Sequence, residues 1–429
     1  MKKNNVNRRM LILTAFTIVI TVFWIVVGKQ ASPDEMSYLK AWESFSAGHI
    51  DMERTPVYPF IIGMAKWIGG ESHMTTVIII IQNIIAAIAV FYAYRIALRT
   101  TGSERAAFWI AIAIAFIPDM VAWRNSVMTE SLAMSGSIFL IFCTIGIVDG
   151  RSRWNILGFA LWLSFLVYLR PSFVYMLPVL TVLLAWIIWR RRKLWKRAAA
   201  AIGIIAAVTV SLLVYCHAFQ RTYGLFAPTS IALENEFYDM RQAGTLDPEK
   251  AENKALGRFI AETYRKNGTE LYQYSYCPIL WADLDYVIKH WSVKDIRQVV
   301  DVSRTPQNVI KGIAVRTYYA GRDVMVYPRA TSLSEMFNFT IGWVYLLLAV
   351  YIVWLLCEWK RKGDVSWISV FLLFLSAANL AAAVVGAFGQ NVGEWGRLIY
   401  PSKFIYIILL VQLVLSLKHN IETRYKRNN

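Results

Sequence analysis

The sequence predicts an all-α polytopic membrane protein: a bundle of about ten transmembrane helices, with amphipathic helices in the first outer loop and a small helical outer cap. Three observations predict it. The 429 residues are 57% hydrophobic and 17% charged, with a mean hydropathy of +0.43, whereas soluble domains carry about a quarter charged residues. The apolar residues are gathered into runs such as Leu11–Val27, Val77–Val90, Ile156–Val167 and Phe371–Val385. Crossing ~30 Å of hydrocarbon takes roughly 20 helical residues, so the shorter runs need their flanks to complete a span. Finally, the basic residues are distributed unevenly between the segments that join the runs.

Taken in order, the spans are expected near 9–28, 74–94, 106–122, 129–148, 154–169, 172–189, 198–218, 337–357, 365–387 and 397–417. The first run follows Lys2, Lys3, Arg8 and Arg9 and continues to Val27 without a small-residue cleavage site. It reads as a retained signal anchor. The N-terminus, 95–105, 149–153, 190–197, 358–364 and the C-terminal tail together hold 22 of the 45 basic residues but only five acidic ones. That accounts for the whole net charge of +17. The positive-inside rule therefore places both termini in the cytoplasm of a plasma (inner) membrane protein. The runs Arg190-Arg191-Arg192-Lys193 and Lys360-Arg361-Lys362 suit anchoring to anionic lipids. With the charge explained by the membrane, no nucleic-acid partner is expected.

This topology divides the chain into an N-terminal transmembrane module 1–218, an extracytoplasmic region 219–336, and C-terminal helices with a cytoplasmic tail, 337–429. The module 1–218 includes a long first outer loop, 29–73. Long ordered loops are uncommon unless they carry function. Within the first loop, Met36, Leu39, Trp42 and Phe45 recur at roughly helical spacing, and Pro56–Gly69 reads as a second amphipathic stretch lying along the membrane surface. Residues 219–336 mix Tyr, Trp and charge with few aliphatic residues, which suits a small helical cap on the span ends.

Candidate chemistry gathers on the same outer face. Ser32-Pro33-Asp34-Glu35 starts a helix with two adjacent carboxylates, where the helix dipole favours negative charge. Arg54-Thr55-Pro56-Val57-Tyr58-Pro59 opens the second amphipathic stretch. Arg124 and Thr129-Glu130 lie at the outer start of a span, and a carboxylate between Met128 and Leu132 should face a wet cavity rather than lipid. Arg170-Pro171 sits in an outer turn, suited to headgroup contact or bidentate capture of an anion. Arg397 and Tyr400-Pro401 open the last span. Each motif alone also admits a purely structural reading, but two carboxylate sites and several guanidinium sites converge on one face.

Other chemistries find no support. There is no Walker loop, GxGxxG or GxSxG, so ATP, dinucleotide and acyl-enzyme chemistry are unsupported. Cys143, Cys216, Cys277 and Cys357 lie far apart without CxxC spacing, which argues against a disulfide framework or zinc site.

The ordered series Asp34-Glu35…Tyr38, Arg54-x-Pro-x-Tyr58-Pro59, Arg124…Thr129-Glu130, Arg170-Pro171 and Arg397-x-x-Tyr400-Pro401 resembles the GT-C class of membrane glycosyltransferases. Within that class it looks most like the protein-mannosyltransferase and aminoarabinose-transferase group. The resemblance implies a polyprenyl-phosphate-linked sugar donor delivered from the membrane to an extracytoplasmic active site. It implies Asp34 as the catalytic carboxylate with Glu35 beside it, and Glu130 as a second acidic residue. Arg170 and Arg397 would hold the lipid phosphate, and Tyr38, Arg54, Tyr58, Arg124 and Tyr400 complete the substrate-binding motifs. Positive groups, or a divalent metal ion held by Asp34 and Glu130, would stabilise the departing phosphate. The resemblance leaves the sugar and the acceptor (protein, lipid or glycan) open.

Two other readings remain open at this point. An envelope polysaccharide polymerase or ligase is also multi-span with a large outer loop, but needs no paired carboxylates in its first outer loop. A secondary transporter or flippase would place charge at mid-membrane and repeat its halves.

Overall fold

The computed structural model describes residues 2–30, 34–117, 121–150, 152–190, 192–268, 286–322, 340–385 and 395–428. The described chain is helical, with no strand among the described residues. Ser32, Pro33, Cys277 and Glu394 lie outside them; Cys143, Cys216 and Cys357 are free thiols.

Helix α1 spans Lys2–Val27 and α2 spans Glu35–Ser46. Helix α3, Val57–Thr101, is two helices joined at a kink. The kink falls at Gly70, whose φ of +64° is a conformation that a side chain would resist. The predicted surface helix of the first loop therefore runs directly into the second span. Along its first segment Phe60, Met64, Trp67 and Ile68 are exposed, an apolar stripe at helical spacing suited to lipid. On the opposite side, Gly63 lets the Trp42 indole of α2 approach so closely that a Cβ would overlap it.

Helix α4, Glu104–Phe116, is capped by the Ser103 hydroxyl and ends well before the predicted limit of 122. Ile117 precedes Pro118, and the residue before proline is disfavoured in helix. The chain resumes in a 3₁₀ turn, Ala122–Asn125. Helix α5, Glu130–Val148, is the axis of the bundle, with every residue except Phe142 buried. Helix α6, Trp154–Leu169, stops before Arg170-Pro171. A 3₁₀ turn leads from there into α7, Met176–Arg190, followed by α8, Trp195–Tyr223. After the cap come α13, Ile341–Lys362, and α14, Trp367–Val385. A short turn, Trp395–Leu398, precedes the last helix, Lys403–Asn428.

Eight of the described helices are long and apolar enough to cross a membrane. The predicted spans 106–122 and 154–169 fold as helices of 13 and 16 residues, shorter than a full crossing for the same reason: a proline follows each. Of these two, α4 packs against α3 and α1, and α6 against α5 and α8.

The described residues after α8 include the cap helices α9, Ile231–Gln242; α10, Lys254–Asn267; α11, Val293–Ser303; and α12, Pro306–Arg322. The first three of these enclose an apolar core with Leu233, Phe237, Leu256, Ile260, Val299 and Val300, whereas Ala320 of α12 packs in the core of the bundle. The first loop is tied to the cap by the Tyr223 hydroxyl, which donates to Ile50 O at 2.6 Å, and by Ser230 N, which donates to Met52 O at 2.9 Å. On the other side Arg316 of α12 pairs with buried Asp239 of α9 and donates to Val384 O, at the end of α14, at 2.8 Å. The cap is thus fastened to the bundle on two sides of the same end.

Candidate functional site

The site lies where the N-termini of α2 and α5, the turn after α6 and the turn Trp395–Leu398 meet. Asp34 is the N-cap residue of α2. Glu130 opens α5 and is completely buried. Between them lies the guanidinium of Arg397, whose Nε donates to Glu130 Oε1 and whose Nη2 donates to Asp34 Oδ2 at 2.5 Å. Arg170 reaches Glu130 Oε1 from the far side, with Nη1 at 3.2 Å. Arg54 Nη2 lies 3.7 Å from Asp34 Oδ2. Two carboxylates and three guanidinium groups, from five separate parts of the chain, form one network.

The two carboxylates differ in access. Asp34 retains 26% of its side-chain exposure and Glu130 none. Glu130 is also approached by the Thr129 hydroxyl at 3.5 Å. Burial alone would raise the pKa of Asp34, but the charges of Arg397, Arg54 and Arg170 outweigh it and hold the carboxyl below its ordinary value.

Arg54 is positioned by its neighbours on α2. Its Nε donates to Ser37 Oγ at 2.9 Å, and its guanidinium stacks 4.4 Å from the centre of the Tyr38 ring. The Tyr38 hydroxyl lies 3.5 Å from that of Thr129, and its ring packs edge-on against Tyr58 at 4.8 Å. Asp34, Tyr38, Arg54, Glu130, Arg170 and Arg397 are therefore brought together, with Tyr58 directly behind them.

The remaining predicted residues take other places. Glu35 turns away and pairs with Lys29 Nζ at 2.7 Å. Arg124 is buried behind the site and donates to Ile114 O at 3.4 Å, while its own carbonyl is held from α3. The Tyr400 ring lies 6.3 Å from that of Trp123, and the Trp123 indole in turn lies 5.9 Å from Arg397. Arg124 and Tyr400 thus stand behind the charged network.

Sequence reasoning missed the residues that hold this arrangement from within the bundle. Gln82 and Asn83, both fully buried, interrupt the apolar run of α3. Gln82 accepts from the Tyr58 hydroxyl at 3.1 Å and donates to Arg124 O at 3.0 Å and Ser126 O at 2.8 Å. Asn83 donates to Asn125 Oδ1 at 3.0 Å, and Asn125 donates to Trp24 O and Gly28 O of the α1 exit. This knot fixes the connection that delivers Thr129 and Glu130. A polar pair inside an apolar span was itself the signal, because such residues are costly in hydrocarbon.

Asp34 Oδ2 and Glu130 Oε1 are both taken by Arg397, and the network carries one more positive than negative side chain. No group of three or more His, Cys, Asp or Glu side chains suited to a metal occurs among the described residues. The donor set fits an anion in preference to a divalent cation.

Comparison with known proteins agrees with this fold. The chain superimposes on the Archaeoglobus fulgidus oligosaccharyltransferase in the apo form with a TM-score of 0.52 and 12% identity, covering 98% of this chain and 52% of that one. The archaeal oligosaccharyltransferase AglB from the same organism, in complex with an inhibitory peptide and a dolichol-phosphate, gives 0.54 and 12%, covering 99% and 52%. The same enzyme tethered to an acceptor peptide gives 0.52 and 13%, covering 96% and 50%. This chain thus spans about half the length of the solved structures it matches, and has the GT-C type of polytopic helical fold. Residues 53–215 match the family described as dolichyl-phosphate-mannose-protein mannosyltransferase. That stretch contains Arg54, Tyr58, Arg124, Glu130 and Arg170, and bears out the resemblance read from those motifs. No curated protein matches the sequence.

Proposed function

We propose that this protein is a membrane glycosyltransferase that moves a sugar from a polyprenyl-phosphate donor to an acceptor hydroxyl at the extracytoplasmic face. The observation that carries the reading is the meeting of Asp34 and Glu130 on Arg397, flanked by Arg54 and Arg170. The protein-mannosyltransferase match across 53–215 supports the same chemistry, as does the fold shared with an enzyme solved with dolichol-phosphate. The strongly basic connections lie at the opposite end of the helices, which favours an extracytoplasmic site.

The reaction is a single displacement. The acceptor oxygen attacks the anomeric carbon as the bond from that carbon to the phosphate oxygen breaks, and the polyprenyl phosphate leaves with the bonding electrons. The hydroxyl proton passes to the Asp34 carboxylate, the more accessible of the two acids and the one kept ionised by its arginine neighbours. The guanidinium groups of Arg54, Arg170 and Arg397 receive the negative charge that develops on the phosphate. Glu130, buried and doubly paired, holds Arg397 and Arg170 in place and takes no proton. One displacement inverts the anomeric centre, so a product with retained configuration contradicts this mechanism.

The test is transfer from a panel of synthetic polyprenyl-phosphate sugars by purified protein in lipid, comparing wild type with Asp34→Asn. Turnover that falls by about 10²–10⁴-fold in the variant, with the protein still folded in the membrane, supports the assignment and identifies the sugar. An active Asp34→Asn protein removes the base. No turnover of any donor by folded wild type moves the weight to the polymerase or transporter readings.

A further inference from the structure

A cavity of about 650 Å³ opens at the end of the bundle opposite the carboxylate and arginine network. Val148, on its wall, closes the helix that Glu130 opens, 19 residues and about 27 Å away. The cavity lies between the ends of α5, α7, α13 and α14 and the side of the last helix. Gln412 lies on its wall, hydrogen-bonded to the Tyr351 hydroxyl at 2.5 Å and to Ser369. Indoles of Trp186, Trp354 and Trp367 also line it, at the basic end of the bundle where aromatic side chains mark the headgroup level.

The charged part of the lining has two unspent members. Lys362 is paired with Glu358, as is Arg361 beside it. Arg190, in contrast, forms no ion pair among the described residues and lies 5.7 Å over the Trp186 ring. Asp364 likewise has no cationic partner among them and accepts only from Val365 N at 2.9 Å. One cavity therefore offers a cation and an anion, each open to a ligand, beside an aromatic wall.

We propose that this cavity binds a phospholipid whose headgroup is zwitterionic with a primary amine, the phosphate on Arg190 and the ammonium on Asp364. Its volume is that of ordinary ligand pockets and accommodates a headgroup with its glycerol and first methylenes. Basic pockets between spans on this face commonly take anionic lipids. Here the open Asp364 carboxylate repels a purely anionic headgroup and selects for one that carries an amine. The indoles cover the glycerol and upper chain.

The experiment is native mass spectrometry of the full chain, purified in detergent and presented with phosphatidylethanolamine, phosphatidylglycerol or soluble phosphoethanolamine. Wild type is expected to retain phosphatidylethanolamine about tenfold better than phosphatidylglycerol, and to ignore soluble phosphoethanolamine. Asp364→Asn should remove the preference between the lipids, Arg190→Gln should weaken both, and Arg192→Gln, outside the cavity, should change neither. Melting temperatures equal to that of wild type establish that the variants are folded. Equal retention of both lipids by wild type, a preference unchanged in Asp364→Asn, or saturation by soluble phosphoethanolamine overturns the proposal.

Discussion

Arg397 and Glu130, 267 positions apart in the sequence, meet through Nε and Oε1 inside the bundle. The same guanidinium reaches Asp34 with Nη2. One side chain from the short turn before the last helix thus joins the first loop to the buried axis of the protein. Removing it leaves Glu130 as an enclosed carboxylate with Arg170 as its remaining charged partner in the network.

Breaking a buried pair by deleting one partner costs about 3–5 kcal/mol, because the other charge stays desolvated. Arg397→Gln is therefore expected to lower the melting temperature markedly. Glu130→Gln added to it should restore part of the loss by removing the stranded charge. Thermal unfolding of both single variants and the double variant checks this. Strictly additive losses would mean that the two side chains do not depend on each other.

The ionisation of Asp34 gives a pH prediction. Its carboxyl is held below the ordinary value of about 3.9 by Arg397, Arg54 and Arg170, which overcome the opposing effect of burial. A depressed folded-state pKa lends stability that is complete above the unfolded value and lost as pH falls through the folded one. Transfer activity should likewise stay level down to about pH 5 and fall only below about pH 4. Arg54→Gln removes one of the charges responsible and should move the acid limb upward. The pH profile of kcat for the two proteins measures the shift; an acid limb of wild type near pH 6 would place the essential base elsewhere.

The metal question is open to a direct measurement. Arg397 already engages one oxygen each of Asp34 and Glu130, and three guanidinium groups outnumber the two carboxylates. That balance neutralises a leaving phosphate without a second cation. Turnover should therefore survive dialysis against a chelator and be unchanged by added Mg²⁺ or Mn²⁺. Loss of activity on chelation, restored by one of these ions, would show that the carboxylates release Arg397 to hold a metal during the reaction.

How much of this could be read in the sequence follows from what kind of interaction sets each feature. The spans were legible because apolar length is a local property, and so were Asp34, Arg54, Glu130, Arg170 and Arg397, which stand at helix starts and turns. Glu35, expected beside Asp34 in the site, is directed to Lys29 in the structure. Adjacent residues on a helix point about 100° apart, and Lys29 claims the Glu35 carboxylate. The early end of α4 was written in Ile117-Pro118, but hydropathy runs on through that dipeptide. The cap core could not be foreseen, since it assembles from apolar residues scattered between Phe219 and Val300. Gln82 and Asn83 stood in plain view, yet the partners they hold in the Arg124–Ser126 connection lie more than forty positions away, and no spacing rule connects them.

Gln82 supplies the last prediction. Its amide joins Tyr58, behind the site, to the carbonyls of Arg124 and Ser126 in the connection that carries Glu130. Gln82→Leu keeps most of the volume but takes the acceptor from the Tyr58 hydroxyl and the Gln82 donor from Ser126 O, and leaves Arg124 O only the longer bond from Asn83 at 3.4 Å; each group left unpaired costs about 1–3 kcal/mol unless water reaches it. With its anchor gone, the Ser126–Thr129 segment loses the position that aims Glu130 at Arg397 and Arg170. Tyr58→Phe removes the hydroxyl's bond to Gln82 but leaves both carbonyls held, so its cost should be about 1 kcal/mol. Turnover is therefore expected to fall in the order wild type, Tyr58→Phe, Gln82→Leu, with the last at least tenfold below wild type. Steady-state kinetics with melting temperatures recorded alongside distinguish the cases. If both variants lose the same activity, Gln82 acts only through the Tyr58 hydroxyl, and the carbonyl anchors do not position the site.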